Sequence, residues 1–156
     1  MDLSAILIGL GFLLVFIGPI AFLIITQKKK QKAKTKKLLE VSKKHNLNPE
    51  VVETTSMIAI GLDPKVKQLI VVEPRRDDSF EVVDLSEVKS CRIRTSGNSK
   101  NPDSYTYVGI DLTSKGESAK KIELTFYDDQ EELNLTVEAE LLRAKRWQEL
   151  LEKQLS

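Results

Sequence analysis

Hydrophobic and polar positions alternate along several short stretches after residue 55, and this pattern predicts β-strands. In the clearest stretch, Val108, Ile110 and Leu112 are separated by polar or small residues, so one face of the strand is apolar. Turn signals such as Asp63-Pro64-Lys65 separate the stretches. Close spacing of this kind is typical of one antiparallel sandwich or barrel. The predicted strands lie near residues 58–62, 66–73, 80–85, 88–95, 106–112 and 122–126.

A different periodicity follows from residue 135 to 155. This stretch contains no Gly or Pro, and Val137, Leu141 and Ala144 continue with Leu151 along one helical face, flanked by Trp147. We expect the resulting amphipathic helix to cover an open end or face of the sheet. The fold class predicted for residues 55–156 is therefore α+β, a partly open antiparallel β-barrel or sandwich capped by a C-terminal helix.

The beginning of the chain is apolar without periodicity. Residues 3–25 carry no charged side chain, and as a helix they measure about 34 Å, enough to cross a hydrocarbon core of about 30 Å. A cleavable signal peptide is the alternative, but Met1-Asp2 is not basic and the apolar run is long. The pattern predicts a single transmembrane helix, which would form an anchor over residues 1–27.

A lysine-rich segment comes directly after this run. Its members are Lys28, Lys29, Lys30, Lys32, Lys34, Lys36 and Lys37, and no Lys or Arg precedes the run. This asymmetry predicts an N-terminus outside and a C-terminal domain in the cytoplasm, which agrees with the single cysteine. Lys28, Lys29, Lys30 and Lys32 are the lysines close enough to attract anionic headgroups of a lipid bilayer. The interpretation we prefer is that the lysines act as a topology signal alone, and a regulated lipid or partner site is the alternative.

Residues 28–54 carry a net charge of +6, whereas residues 55–156 carry −4. Leu38, Val41 and His45 share one helical face, so the helix is predicted to continue to about residue 45. Asn48 before Pro49 is typical of an N-cap and predicts a short helical turn up to about Glu53. The domain organisation expected is an anchor over 1–27, a basic helical stalk or linker over 28–54, and a β domain with a C-terminal helix over 55–156.

The order of these elements resembles that of bacterial proteins with a pleckstrin-homology-like (PH-like) domain, a set of small, uncharacterised and membrane-anchored proteins. The segments that carry the resemblance are residues 60–63, 69–73, 83–91, 123–128 and 144–147. The resemblance implies a partly open barrel capped by the last helix and a location in the bacterial inner membrane. It implies no particular chemistry, because one fold hosts many functions.

Signatures of enzymes and of ligand sites are absent from the sequence. There is no phosphate-binding glycine loop and no nucleophile elbow, and His45 and Cys91 are each the sole residue of their type. These observations predict no catalytic residue, no metal, no cofactor and no small-molecule substrate. Nucleic-acid binding is not expected either, because residues 55–156 are net acidic.

Tyr105, Tyr107 and Tyr127 are the candidate partner surface. Tyr105 and Tyr107 alternate with apolar residues on one strand and would form an exposed aromatic patch if Tyr127 lay beside them. The function expected is a non-catalytic, single-pass membrane protein that holds a cytoplasmic PH-like interaction domain at the membrane for an unidentified protein partner. The alternatives are a small accessory subunit of a larger membrane complex, and a sensor of anionic lipids that uses the lysine-rich stalk.

Overall fold

The computed structural model describes residues 3–73, 79–97, 104–116, 120–130 and 137–155, and for residues 3–14, 16 and 27 it describes the backbone alone. Within these residues the chain forms two helices and seven strands, and it divides into two compact units, Met1–Ala33 and Lys34–Ser156. The elements are α1 (Leu3–Lys44), β1 (Val51–Thr54), β2 (Ala59–Asp63), β3 (Gln68–Glu73), β4 (Ser79–Asp84), β5 (Val88–Gly97), β6 (Tyr105–Ser114), β7 (Lys121–Asp128) and α2 (Val137–Leu155).

The predicted fold class is wrong in its first part, the transmembrane helix over residues 1–27. No helix in the described part of the chain is both long enough and apolar enough to cross a membrane. The predicted single-pass membrane arrangement is corrected with it.

The second unit is a small α+β domain with two antiparallel sheets and a C-terminal helix. Sheet A has the strand order β1-β2-β3-β4, and sheet B has the order β5-β6-β7. One 3₁₀ turn, Leu85–Glu87, connects them, and the Asp84 carboxylate caps it by accepting a hydrogen bond of 2.9 Å from the Ser86 amide. The six predicted strands are confirmed, whereas β1 lies where a short helical turn was predicted.

The main core lies between the two sheets and α2. The periodic apolar residues of the strands and the helical stripe of α2 meet there, and Trp147 is completely buried. Its indole Nε1 donates a hydrogen bond of 2.6 Å to Glu53 Oε2 on β1, so burial leaves the polar end of the ring satisfied. The other members include Ile60, Leu62, Leu69, Val71, Val108, Ile110, Leu112, Leu124, Phe126, Ala144 and Leu151.

A second, smaller core covers the opposite face of sheet A. The part of α1 from Lys34 to Lys44 lies on this face, and we call it the helical cover. Leu38, Val41 and Leu47 pack there against Ala59, Ile70 and Val72 of β2 and β3. Both faces of these two strands are therefore buried, which explains why β3 is a nearly continuous apolar run rather than an alternating one.

Local contacts fix the end of the helical cover. Asn46 adopts φ of 57°, the left-handed conformation that often terminates a helix, and the Leu47 amide donates to the Ser42 carbonyl at 2.8 Å. The Asn48 amide then donates to Asp63 Oδ2 at 2.7 Å. Gly61 lies under the cover, where a Cβ atom would stand 3.1 Å from the Leu38 side chain. The lack of a side chain at Gly61 thus permits the close approach of helix and sheet.

Candidate functional site

The candidate site is a groove between the outer strands of the two sheets. In the described residues, β4 is an outer strand of sheet A, β7 is an outer strand of sheet B, and no strand ladder joins them. The groove between them has a volume of about 530 Å³. Val71 and Leu124, both buried residues of the main core, form its floor. The groove therefore opens from solvent onto apolar core at the seam between the sheets.

The sheet A wall of the groove carries one aromatic residue, Phe80, and two acidic residues, Glu73 and Glu81. Phe80 is 48% exposed, and its ring centroid lies 5.3 Å from that of His45. Glu81 is next along β4 and lies on the opposite face, which it shares with the core residue Val83. This alternation directs the Glu81 carboxylate from the edge of sheet A toward β7.

One ion pair crosses the groove from sheet to sheet. Lys120 Nζ, just before β7, lies 2.5 Å from Glu81 Oε1 on β4. The Lys120 backbone is fixed, because its amide donates to Ser114 Oγ at 2.8 Å and its carbonyl accepts from the Ser114 amide at 3.0 Å. The Lys120 side chain is 70% exposed. The ammonium group can therefore leave Glu81 without a change in the strand.

The sheet B wall carries charges that neighbouring strands hold in place. Glu123 of β7 accepts a hydrogen bond of 2.5 Å from the Tyr107 hydroxyl of β6 and pairs with Arg94 of β5. Lys121 Nζ lies 2.8 Å from Oδ2 of Asp111, which Arg94 Nε also approaches, at 3.5 Å. These five residues form a network on the outer face of sheet B, and we call it the outer-face network. It spans all three strands of that sheet.

Tyr107 lies flat in this network because the neighbouring position is glycine. A Cβ atom on Gly109 would stand 2.1 Å from the Tyr107 hydroxyl oxygen. The Arg94 guanidinium lies 4.8 Å from the centroid of the ring, which is cation–π geometry. Burial and the hydrogen bond to Glu123 raise the pKa of Tyr107 above its ordinary value. The hydroxyl thus remains a proton donor to Glu123 throughout the physiological range.

A second cavity, of about 650 Å³, lies beside the outer-face network at the ends of the strands. Its lining is polar, and Glu123 belongs to the linings of both this cavity and the groove. The remaining lining residues are Arg94, Thr95, Ser96, Thr106, Tyr107, Asp128, Asp129 and Gln130. Glu123 therefore borders both the cavity on the outer face of sheet B and the groove.

The predicted lysines and the groove belong to different compact units of the chain. Lys28, Lys29, Lys30 and Lys32 are exposed residues of α1 within the unit Met1–Ala33, whereas the groove belongs to the second unit. The compact second unit begins at Lys34 and so takes in the later part of the stretch that was expected to form a stalk. The predicted contact between these lysines and anionic lipid stays a prediction.

The three predicted tyrosines lie in different environments. Tyr107 belongs to the outer-face network, Tyr105 is partly buried against the main core, and Tyr127 is 8% exposed within that core. A register shift between Val108 and Gly109 in the pairing of β6 with β7 accounts for Tyr127, since a bulge reverses the alternation of side chains. Their role as a partner surface stays a prediction.

The described residues offer little for nucleophilic or metal chemistry. Cys91 is buried, and loss of solvation, with a smaller contribution from the charge of Glu152, raises the pKa of its thiol to about 12. Such a thiol is protonated and unreactive near neutral pH. Among the described residues, no group of three or more His, Cys, Asp or Glu side chains is placed to hold a metal ion.

Comparison of the chain with protein-family models, with curated proteins and with solved structures returned no match. The resemblance to PH-like proteins therefore stays an expectation. Sequence reasoning missed the groove residues Phe80 and Glu81, and Lys120, which pairs with Glu81. Glu81 gave one signal in the sequence, since it is a charged residue on the core-facing side of a predicted strand. Its partner Lys120 could not be predicted, because the two residues are distant in sequence and meet only through the order of the strands.

Proposed function

We propose that this chain provides a non-catalytic interaction domain that binds an extended peptide segment in the groove between β4 and β7. One observation carries the proposal: two outer strands of separate sheets face each other across an open seam with an apolar floor. A buried thiol with a raised pKa supports the non-catalytic part, because it removes the one cysteine as a ready nucleophile.

Strand edges explain why an extended segment is the fitting occupant. An outer strand presents N–H and C=O groups that have no partner within its sheet, and a peptide can satisfy them by adding as a further strand. Side chains of such a peptide alternate between the two faces. One set would then reach the floor formed by Val71 and Leu124, while the other set would remain near solvent.

The dimensions of the groove agree with a short segment. Its β7 wall runs from Lys121 to Leu124, which at about 3.4 Å per residue is on the order of 14 Å. A volume of about 530 Å³ lies within the range typical of ligand sites, roughly 300 to 1,000 Å³. A segment of about four residues therefore fills the groove, with flanking residues extending along β7.

Fluorescence anisotropy on the full chain tests this function. The probes are three labelled peptides of about eight residues, to match the eight residues of β7, in which valine alternates with serine, lysine or glutamate. We expect at least one of them to bind. The variant Phe80→Ala should weaken that binding about threefold to tenfold, because it removes apolar surface at the rim.

The matched control is Leu142→Ala. Leu142 is 66% exposed on α2 and does not line the groove, whereas Phe80 is 48% exposed and does. The control should leave affinity unchanged. If none of the three peptides binds, or if both variants weaken binding equally, the groove is not a peptide site.

A further inference from the structure

The charges of the groove point to the chemical class of its partner. We propose that the groove takes an extended segment in which apolar residues alternate with lysine or arginine, and that one cation of this segment replaces Lys120 on Glu81. This inference rests on the proposed function and adds the identity of the recognised side chains. Glu81 and Glu123 both line the groove, but Glu123 is paired with Arg94 within sheet B, whereas the cation paired with Glu81 is the exposed Lys120.

The charged side chains of the groove differ in how strongly their neighbours fix their positions. Glu123 and Lys121 are tied by Tyr107 and Asp111, which are neighbours within sheet B. Glu81 is paired with Lys120, whose side chain is 70% exposed and comes from the other sheet. An exposed ion pair of this kind contributes little to stability, so exchanging its cation for another costs little.

Replacement by a partner's cation keeps Glu81 neutralised as the groove is filled. A partner with serine at this position would displace Lys120 and leave the carboxylate without a cation in a less hydrated site, which is unfavourable. A partner with glutamate would in addition bring like charge toward Glu81. In the free protein, Lys120 therefore occupies the position on Glu81 that the partner's cation would take. Its side chain also lies beside the exposed strand edges and disfavours their pairing with other chains until a basic segment displaces it.

Two substitutions on opposite sides of the ion pair test this exchange. With the valine–lysine peptide as probe and the full chain as protein, Glu81→Gln should weaken binding about threefold to tenfold. Lys120→Gln should instead strengthen it about twofold to fivefold, because the competing cation is gone. Affinity should also fall as salt is raised, and the valine–glutamate peptide should bind most weakly.

A second exposed ion pair supplies the control. Lys65 Nζ lies 3.2 Å from Glu50 Oε1, with side chains 73% and 45% exposed, outside the lining of the groove. Glu50→Gln and Lys65→Gln should leave affinity unchanged. Thermal unfolding checks that all four variants are folded.

Different outcomes refute the cation selectivity and the proposed peptide binding. If the three peptides bind alike and Phe80→Ala weakens each of them, the groove is a peptide site but its selectivity for cations is refuted. Weaker binding of the valine–lysine peptide to the Lys120→Gln variant would also refute the exchange. If no peptide binds, the proposed function itself fails.

Discussion

The two sheets of this domain have outer faces of opposite character. The outer face of sheet A lies under the helical cover, where Leu38 is completely buried. The outer face of sheet B has no such cover among the described elements and carries the outer-face network of Arg94, Tyr107 and their partners. The difference shows that one antiparallel architecture can bury the outer face of one sheet under a helix and leave the outer face of the other sheet to charged, solvated side chains.

The pattern of buried and exposed residues along the strands reflects this difference between the two sheets. Every residue of β2 is buried, and its neighbour β3 is buried through its four central residues. Along β5, buried residues are separated by exposed or half-buried ones, as expected for a strand with one solvated face. The seam between β4 and β7 joins these two surfaces, so the proposed peptide site lies where apolar core and solvated charge meet.

The largest expected effect comes from removing the contact under the helical cover. Leu38→Ala should lower the free energy of unfolding by about 2 to 5 kcal/mol, because it leaves a cavity beneath a fully buried side chain. The adjacent variant Leu39→Ala is the control, since Leu39 is 41% exposed, and it should cost less than about 1 kcal/mol. Chemical denaturation measures both. Equal losses would show that the cover does not stabilise the domain.

Gly61→Ala tests the same contact from the sheet side. The added Cβ would stand 3.1 Å from Leu38, Ile70 and Pro49, so the cover must shift outward. We expect a loss of about 1 to 3 kcal/mol, as for other overpacked cores. The double variant Gly61→Ala with Leu38→Ala should lose less than the sum of the two single losses, because space freed at one site relieves the other. Strictly additive losses would argue against direct contact.

Tyr107→Phe probes the solvated face and should have a smaller effect. Loss of the hydrogen bond to Glu123 should cost about 0.5 to 1.5 kcal/mol at neutral pH. Because the pKa of Tyr107 is raised in the folded state, its contribution is complete below the ordinary tyrosine value of about 10 and declines as pH rises above it. Denaturation near neutral pH and again above pH 10 should therefore show the wild type and the variant converging. A difference that grows with pH would contradict this reasoning.

Lys121→Gln should have the smallest effect on stability. Its side chain is 52% exposed and pairs with Asp111 at 2.8 Å, so we expect a loss of no more than about 1 kcal/mol. High salt should reduce this loss further, whereas the loss caused by Leu38→Ala should not decrease in salt. Denaturation at low and high ionic strength makes the comparison. A loss that salt leaves unchanged would place Lys121 in a packing role.

Periodicity predicted much of this fold because each pattern reported a local environment. Alternation in β6 and the apolar stripe of α2 identified the strand and the helix that form the main core. The apolar run in β3 was predicted to be a central strand, yet nothing in it indicated which element covers its second face. Val51 and Val52 of β1 follow a proline whose position favoured a helical turn, so local preference was overridden by pairing with β2.

Other features depended on information that lies outside any one segment. The apolar residues near the beginning of the chain predicted a membrane span that the described helices do not support. The groove exists because the strand orders leave β4 and β7 as outer strands, and the pair of Lys120 with Glu81 joins positions 39 residues apart. A sequence pattern reports which face of a strand is buried, but it does not report which edges meet.

Hydrogen–deuterium exchange of the full chain, with and without the valine–lysine peptide, tests the central claim most directly. A peptide that adds as a strand forms new backbone hydrogen bonds, which slow amide exchange at the strand it joins. We predict slower exchange in residues 121–124 of β7 or 79–81 of β4, and unchanged exchange in β2, whose residues are already paired and buried. Binding without protection at β4 or β7, or with protection confined to other elements, would contradict the proposed site.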